Sequence, residues 1–297
     1  MRNDDIQSRP STSLRRLGRR VRELTYSEGF LTVVRRLPFG TGLRRGYQWP
    51  VGGADDILRI SVGDSEVLFR VRSPREYRLI EADLLRFEKF FLDELTISLK
   101  KGDVFLDVGG ALGEFTIPMA TVVGPEGLVI AVEPEIGAFA ALEANLRLNR
   151  FTNVRLFKTA LSAQRGEAKL WCDGACPTLF RAPAAGVSCA GTPYEASASA
   201  SESVSVEAGD ELLEREHLPL PKAVKIDVEG FEYQVIRGLN RTLGDIACQL
   251  LCCEIHPPVL PPGIAAQSII DEITSLGFKR TVFQERASQI QMIATKD

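Results

Sequence analysis

The sequence predicts an α/β fold built on a mostly parallel sheet. Three observations carry that prediction. From residue 101 onward, short apolar runs alternate with helical patterns, the signature of strand-helix-strand units with right-handed crossovers. One apolar run ends in an Asp-x-Gly-x-x-x-Gly loop, Asp107 to Gly113, directly before a helical segment. The chain then closes on two apolar runs, Lys279–Gln284 and Gln289–Ala294, spaced as an antiparallel hairpin.

The elements follow in order. Ile57–Val62 and Val67–Val71 flank Gly63-Asp64-Ser65 and read as a hairpin. Glu76–Leu99 reads as helix with a break near Asp93, its apolar side supplied by Leu79, Ala82, Leu85, Phe90 and Leu92. The alternation begins with strand Val104–Val108 and helix Glu114–Val123. A turn at Gly124–Gly127 leads to strand Leu128–Val132, helix Ile136–Leu148 and strand Val154–Phe157. Residues 172–203 interrupt it. They are rich in Ala, Ser, Gly, Pro and Thr and read as a flap or variable insertion. Ala223–Asp227, Tyr233–Leu239, Gln249–Ile255 and Ala266–Leu276 resume the pattern as strand, helix, strand and helix.

Charge divides the chain. Residues 1–50 carry eleven arginines against four acidic residues, a net of +7. The total is -3, so the remainder carries -10. Leu14, Leu17, Val21 and Leu24 form a helical stripe flanked by arginines, and glycines punctuate 38–53 as a linker. The expected organisation is a basic arm and linker over 1–53, a hairpin and helical lead-in over 54–100, and a main domain over 101–297. The arm suits packing in a homo-oligomer or contact with an acidic partner. An acidic main domain without a basic-aromatic groove argues against nucleic acid as substrate.

No apolar run approaches the ~18 residues of a membrane span. Met1 is followed by Arg2, Asn3, Asp4 and Asp5, with no apolar signal core, so a cytoplasmic location with reduced thiols is expected. Cys172, Cys176 and Cys189 lack a fourth ligand for zinc.

The glycine loop suits a ligand brought against backbone at a helix N-terminus. A dinucleotide fingerprint would need a first glycine where Val108 stands. An S-adenosylmethionine (SAM) site needs a glycine loop for the methionine part and an acid for the ribose hydroxyls. Glu133, at the end of Leu128–Val132, is placed for the second task. A plain strand-turn-helix without ligand is the third alternative.

Five ordered blocks resemble the FkbM family of SAM-dependent methyltransferases. They are Lys101–Gly109, Gly127–Pro134, Asn145–Asn149 with Ala160-Leu161-Ser162, the block Val224-Lys225-Ile226-Asp227-Val228-Glu229-Gly230-Phe231-Glu232, and Cys253-Glu254-Ile255-His256. The resemblance spans about Glu76 to Ala294. It implies a class I Rossmann-like methyltransferase with a seven-stranded sheet in the order 3-2-1-4-5-7-6. It also implies methyl transfer from SAM, usually to a hydroxyl of a small molecule or sugar. By position, Asp107, Gly109 and Gly113 would meet the methionine end, Glu133 the ribose, and Ala160 and Leu161 the adenine. The family loop usually reads Gly-Ala-Asn-x-Gly; here Ala111 stands in place of the Asn. A non-catalytic SAM-binding protein of the same fold is the alternative function.

Asp227 and Glu229 follow a buried strand, on the side where open α/β sheets bind ligands. His256 ends the next strand, and His217 reads as surface. The expected roles are His256 as general base, with Asp227 and Glu229 orienting the acceptor. A cation held by Asp227, Glu229 and Glu254 is compatible with carboxylate chemistry, but no metal is assigned.

Overall fold

The computed structural model describes residues 56–62, 65–72, 76, 80, 88–172, 200–286 and 288–296. The expected arm over 1–53, most of the 172–203 insertion, and the side chains of Cys172, Cys176 and Cys189 lie outside the described residues.

The described residues begin with an antiparallel hairpin, β1 (Asp56–Val62) and β2 (Ser65–Val71). Helix α1 (Lys89–Ser98) runs through Asp93 without a break. An i,i+4 ion pair between Lys89 and Asp93 supports the helix at the point where the sequence suggested an interruption. The α/β body follows as β3 (Val104–Val108), α2 (Thr116–Val123), β4 (Leu128–Val132), α3 (Ile136–Asn149) and β5 (Val154–Phe157). A small sheet of β6 (Ala160–Ser162), β7 (Gly166–Cys172) and β8 (Ala200–Ala208) intervenes. The body resumes with α4 (Gly209–Arg215), β9 (Ala223–Ile226), α5 (Glu232–Gly238), α6 (Asn240–Gly244), β10 (Leu250–Ile255), α7 (Ala266–Ser275), β11 (Arg280–Arg286) and β12 (Gln289–Thr295).

Seven strands form the main sheet in the order β5-β4-β3-β9-β10-β12-β11. Counted within that sheet this is 3-2-1-4-5-7-6, the expected order. Pairs β5·β4, β4·β3, β3·β9 and β9·β10 are parallel, and β12 runs antiparallel to both of its neighbours.

Two cores sandwich this sheet because successive side chains of a strand point to opposite faces. Leu106, Ile130, Val224 and Cys253 pack on one face with Val235, Ile236 and Ile273. Phe105, Val129, Ala223 and Cys252 pack on the other with Phe91, Leu95 and Met119. Each fully buried large side chain contributes about 1.5–3 kcal/mol of transfer free energy, which explains the near-continuous apolar text of β3, β4, β9 and β10.

Two asparagines of α3 join the hairpin to this body. Asn149 accepts from Leu68 N at 2.8 Å and donates to Leu68 O at 2.7 Å. Asn145 accepts from Arg70 N at 2.8 Å and donates to Leu112 O, in the glycine loop, at 3.0 Å.

One expected boundary is corrected. Residues 200–203 belong to strand β8, which pairs antiparallel with β7 through Cys172↔Ala200. Val204 and Val206 are buried while Ser201, Ser203 and Ser205 are exposed, a period of two that the serine-rich composition concealed.

Candidate active site

The C-terminal ends of β3, β4, β9 and β10 carry all the charged groups of interest. After β3 the chain turns at Gly109, whose φ is +84°. A Cβ there would lie 2.0 Å from the carbonyl oxygen of Asp227, so only glycine lets the β3 and β9 ends approach this closely. Gly109 N and Gly110 N both donate to Val132 O at 3.0 Å, tying the loop to the end of β4. Ile117 N donates to Gly113 O at 3.0 Å, and α2 starts from there.

Glu133 is buried beside this loop. One carboxylate oxygen accepts from Ala111 N at 2.9 Å and the other from Glu135 N at 2.8 Å. Each oxygen keeps a second lone pair for a further donor. Burial pushes the Glu133 carboxyl up to about 7, against the lowering effect of those two amides. Burial likewise raises Glu114, in the same loop, to about 7.

Asp107 lies beneath the loop and is fully buried. It accepts from Thr116 Oγ1 at 2.5 Å and faces Lys225 Nζ at 3.6 Å. Burial raises its carboxyl above the ordinary range, with Lys225 and Thr116 working the other way. Lys225 is buried too, donates to Gly109 O at 2.9 Å, and stands 3.5 Å from Asp227. Burial disfavours its charge, but Asp227 and Asp107 outweigh that and raise its pKa. One lysine charge thus stands between the two acids at the ends of β3 and β9.

A second constellation forms where β9 and β10 end. His256 is buried, and its Nδ1 meets Glu232 Oε1 at 2.6 Å. The same Glu232 oxygen accepts from Gly230 N at 2.8 Å. With Nδ1 engaged by a carboxylate, the other ring nitrogen, Nε2, faces Glu229 Oε2 at 3.3 Å and Asp227 Oδ1 at 3.7 Å. Burial works to lower the imidazole pKa, yet Glu229, Glu232 and Asp227 together lift it well above its ordinary value. The turn that aims Glu229 is left-handed at two successive residues, Glu229 at φ +51° and Gly230 at φ +97°. A non-glycine residue in that region stores strain that the surroundings must hold.

The structure therefore brings His256, Asp227 and Glu229 together, as expected, and links them to Asp107 through Lys225. Glu133 and the glycine loop form the adjoining half. Ala160 and Leu161 are buried in β6, and the Leu161 side chain belongs to the core that contains Leu212, Ile236 and Leu239. His217 is exposed. Glu254 is buried within β10, outside the group that Asp227, Glu229 and His256 form. Glu232 had no role in the sequence reading; its spacing in Asp227-x-Glu229-x-x-Glu232 was the available signal.

A protein-family model described as the methyltransferase FkbM domain matches residues 107–280, more than half of the chain. The chain belongs to the FkbM methyltransferase family. This FkbM protein is a methyltransferase, and SAM is its cofactor. A curated relative, the hexuronic acid methyltransferase AglP of Haloferax volcanii, is 28% identical over 222 residues, covering 73% of this chain and 80% of its own. Solved structures similar to the FkbM protein include fibrillarin of Aeropyrum pernix with natively bound SAM, at 16% identity and a TM-score of 0.44, covering 83% of this chain and 85% of that one. A SAM-dependent O-methyltransferase of Thermotoga maritima matches at 13% identity and a TM-score of 0.41, covering 86% and 81%. Among the described residues, no helix is long and apolar enough to cross a membrane.

Proposed function

We propose that the protein transfers the methyl group of SAM to a hydroxyl oxygen of a sugar or sugar-bearing small molecule. The observation that carries this reading is the Asp227–Glu229–His256 cluster at the sheet end that also holds the cofactor loop. The relative that acts on a hexuronic acid supports a sugar acceptor.

In this reading Asp107, Gly109 and Gly113 shape the methionine end of the cofactor site, and Ala160 and Leu161 border the adenine. Glu133 accepts from the two ribose hydroxyls. The acceptor hydroxyl lies against Asp227, Glu229 and His256, the catalytic group. Transfer is an in-line displacement. The O–CH₃ bond forms as the S–CH₃ bond breaks, SAM leaves as S-adenosylhomocysteine, and the hydroxyl proton passes to the cluster. Holding the oxygen and the sulfonium methyl collinear supplies much of the rate, and removing the proton is typically worth 10²–10⁴-fold.

The test is incubation of the full chain with SAM and pools of neutral and acidic glycosides. Methylated product is followed by mass spectrometry and S-adenosylhomocysteine is measured in parallel. Acceptor-dependent formation of both products is expected. Tight SAM binding with no turnover on any hydroxyl acceptor would instead favour a non-catalytic SAM-binding protein.

A further inference from the structure

We propose that Asp227, Glu229 and Nε2 of His256 form a binding site for one divalent cation, with Glu232 as the outer partner that orients the imidazole. The proposal rests on the methyl-transfer reading and adds to it the means by which the acceptor hydroxyl is activated.

The geometry comes first. One ligand atom from each of the three residues lies within 4.8 Å of the other two. Nε2 stands 3.3 Å from Glu229 Oε2 and 3.7 Å from Asp227 Oδ1. Ligands about 2.1 Å from a common ion are separated by about 3.0 Å at right angles and about 3.4 Å at the tetrahedral angle, so these spacings suit a shared centre.

A second observation is independent of the acids. The His256 side chain is only 2% exposed, and its Nε2 makes no hydrogen bond among the described residues. A buried ring nitrogen aimed between two carboxylates needs either a proton or a metal ion on it. The other nitrogen is arranged as it is in metal-bound histidines, where Nδ1–H is donated to a carboxylate that fixes tautomer and ring orientation. Glu232 is that carboxylate, at 2.6 Å, and the Gly230 amide pins it at 2.8 Å.

The donor set also indicates the ion. Two carboxylates and one neutral imidazole carry a charge of -2, matched by a divalent cation. Carboxylate oxygens favour Mg²⁺ and Mn²⁺, and the imidazole favours Mn²⁺ over Mg²⁺. The side chains of Asp227 and Glu229 are 26% and 19% exposed, so the site is open on one side. Coordination positions there are available to water or to the acceptor oxygen. A hydroxyl bound to such a cation loses its proton more readily, and a carboxylate oxygen of the cluster or water receives it. His256 then acts as a ligand, not as a free base.

The experiment uses the full chain, stripped with chelator and titrated with Mn²⁺. Unbound Mn²⁺ is followed by electron paramagnetic resonance, and the SAM Kd is measured separately by calorimetry. One Mn²⁺ per chain is expected. Asp227→Asn and Glu229→Gln should each weaken it at least ~10-fold, and Glu232→Gln by ~10–100-fold, all with an unchanged SAM Kd. Glu211→Gln, an exposed acid elsewhere, should leave Mn²⁺ binding as it was. Two results overturn the site while sparing the methyltransferase reading. One is no Mn²⁺ binding tighter than ~1 mM in a protein that still binds SAM. The other is full turnover in excess chelator. If Mn²⁺ binds as expected but no hydroxyl acceptor is methylated, the cation site stands and the function reading fails.

Discussion

Replacing Glu133 by alanine should weaken SAM binding at least ~10-fold, and the size of the loss follows from the site. Both Glu133 oxygens already accept one backbone amide, from Ala111 and Glu135, so the carboxylate is held in a single orientation before SAM arrives. Each hydrogen bond from a ribose hydroxyl to a charged group is worth about 1.5–3 kcal/mol, so losing two costs about 3 kcal/mol or more. Two effects reduce that figure. Burial holds the carboxyl near 7, so it is only half ionised at neutral pH. The alanine variant also frees the Ala111 amide for water or ligand. A floor of ~10-fold remains. Calorimetric titration of SAM at pH 8, where the carboxylate is ionised, measures it. The pH dependence gives a second check with a definite sign. On the proposed assignment the ionised form accepts the two ribose hydroxyls, so affinity is full above the raised pKa of about 7 and declines as pH falls through it. Between pH 8 and pH 6 the wild-type Kd should rise ~10-fold, and Glu133→Gln should flatten that dependence. Equal SAM affinity in wild type and Glu133→Ala, with the same pH profile, would refute the assignment.

Other outcomes follow from the same geometry. His256→Ala should lower kcat at least ~100-fold with SAM affinity nearly unchanged, checked by steady-state kinetics and calorimetry. Lys225→Met leaves Asp107 and Asp227 facing each other without their buried cation, and should cost about 3–5 kcal/mol of stability in urea unfolding. Deleting residues 1–50 should leave SAM binding intact; loss of folding in that variant would place Leu14–Leu37 in the core.

Much of the architecture was legible because it is local. Strand and helix periods report burial directly, so the strands from Val104 to Phe157 and the closing pair fell within a residue or two of their observed bounds. Glycines with a φ or contact requirement marked the loop at Gly109. Composition misled at β8, where serines on the solvent face hid the buried valines at 204 and 206. The continuity of α1 through Asp93 was likewise hidden, since an i,i+4 ion pair is a property of the formed helix.

The sequence by itself determined the order of the main-sheet strands and the acids at their ends, because each depends on residues close along the chain. Which groups face one another was decided only by the tertiary structure. The sequence placed His256 beside Asp227 and Glu229 as a base, and offered Glu254, two residues earlier, only as a third carboxylate for a cation that was not assigned. In the fold Glu254 stays buried within β10, and the residue that meets the two acids is His256, just past the strand end. Glu232 acquires its part because a left-handed turn at Glu229 and Gly230 folds α5 back so that its first residue reaches the imidazole. Those relations depend on how β9 and β10 pair and on a backbone angle that side-chain periodicity does not encode, so they appear only once the sheet has closed.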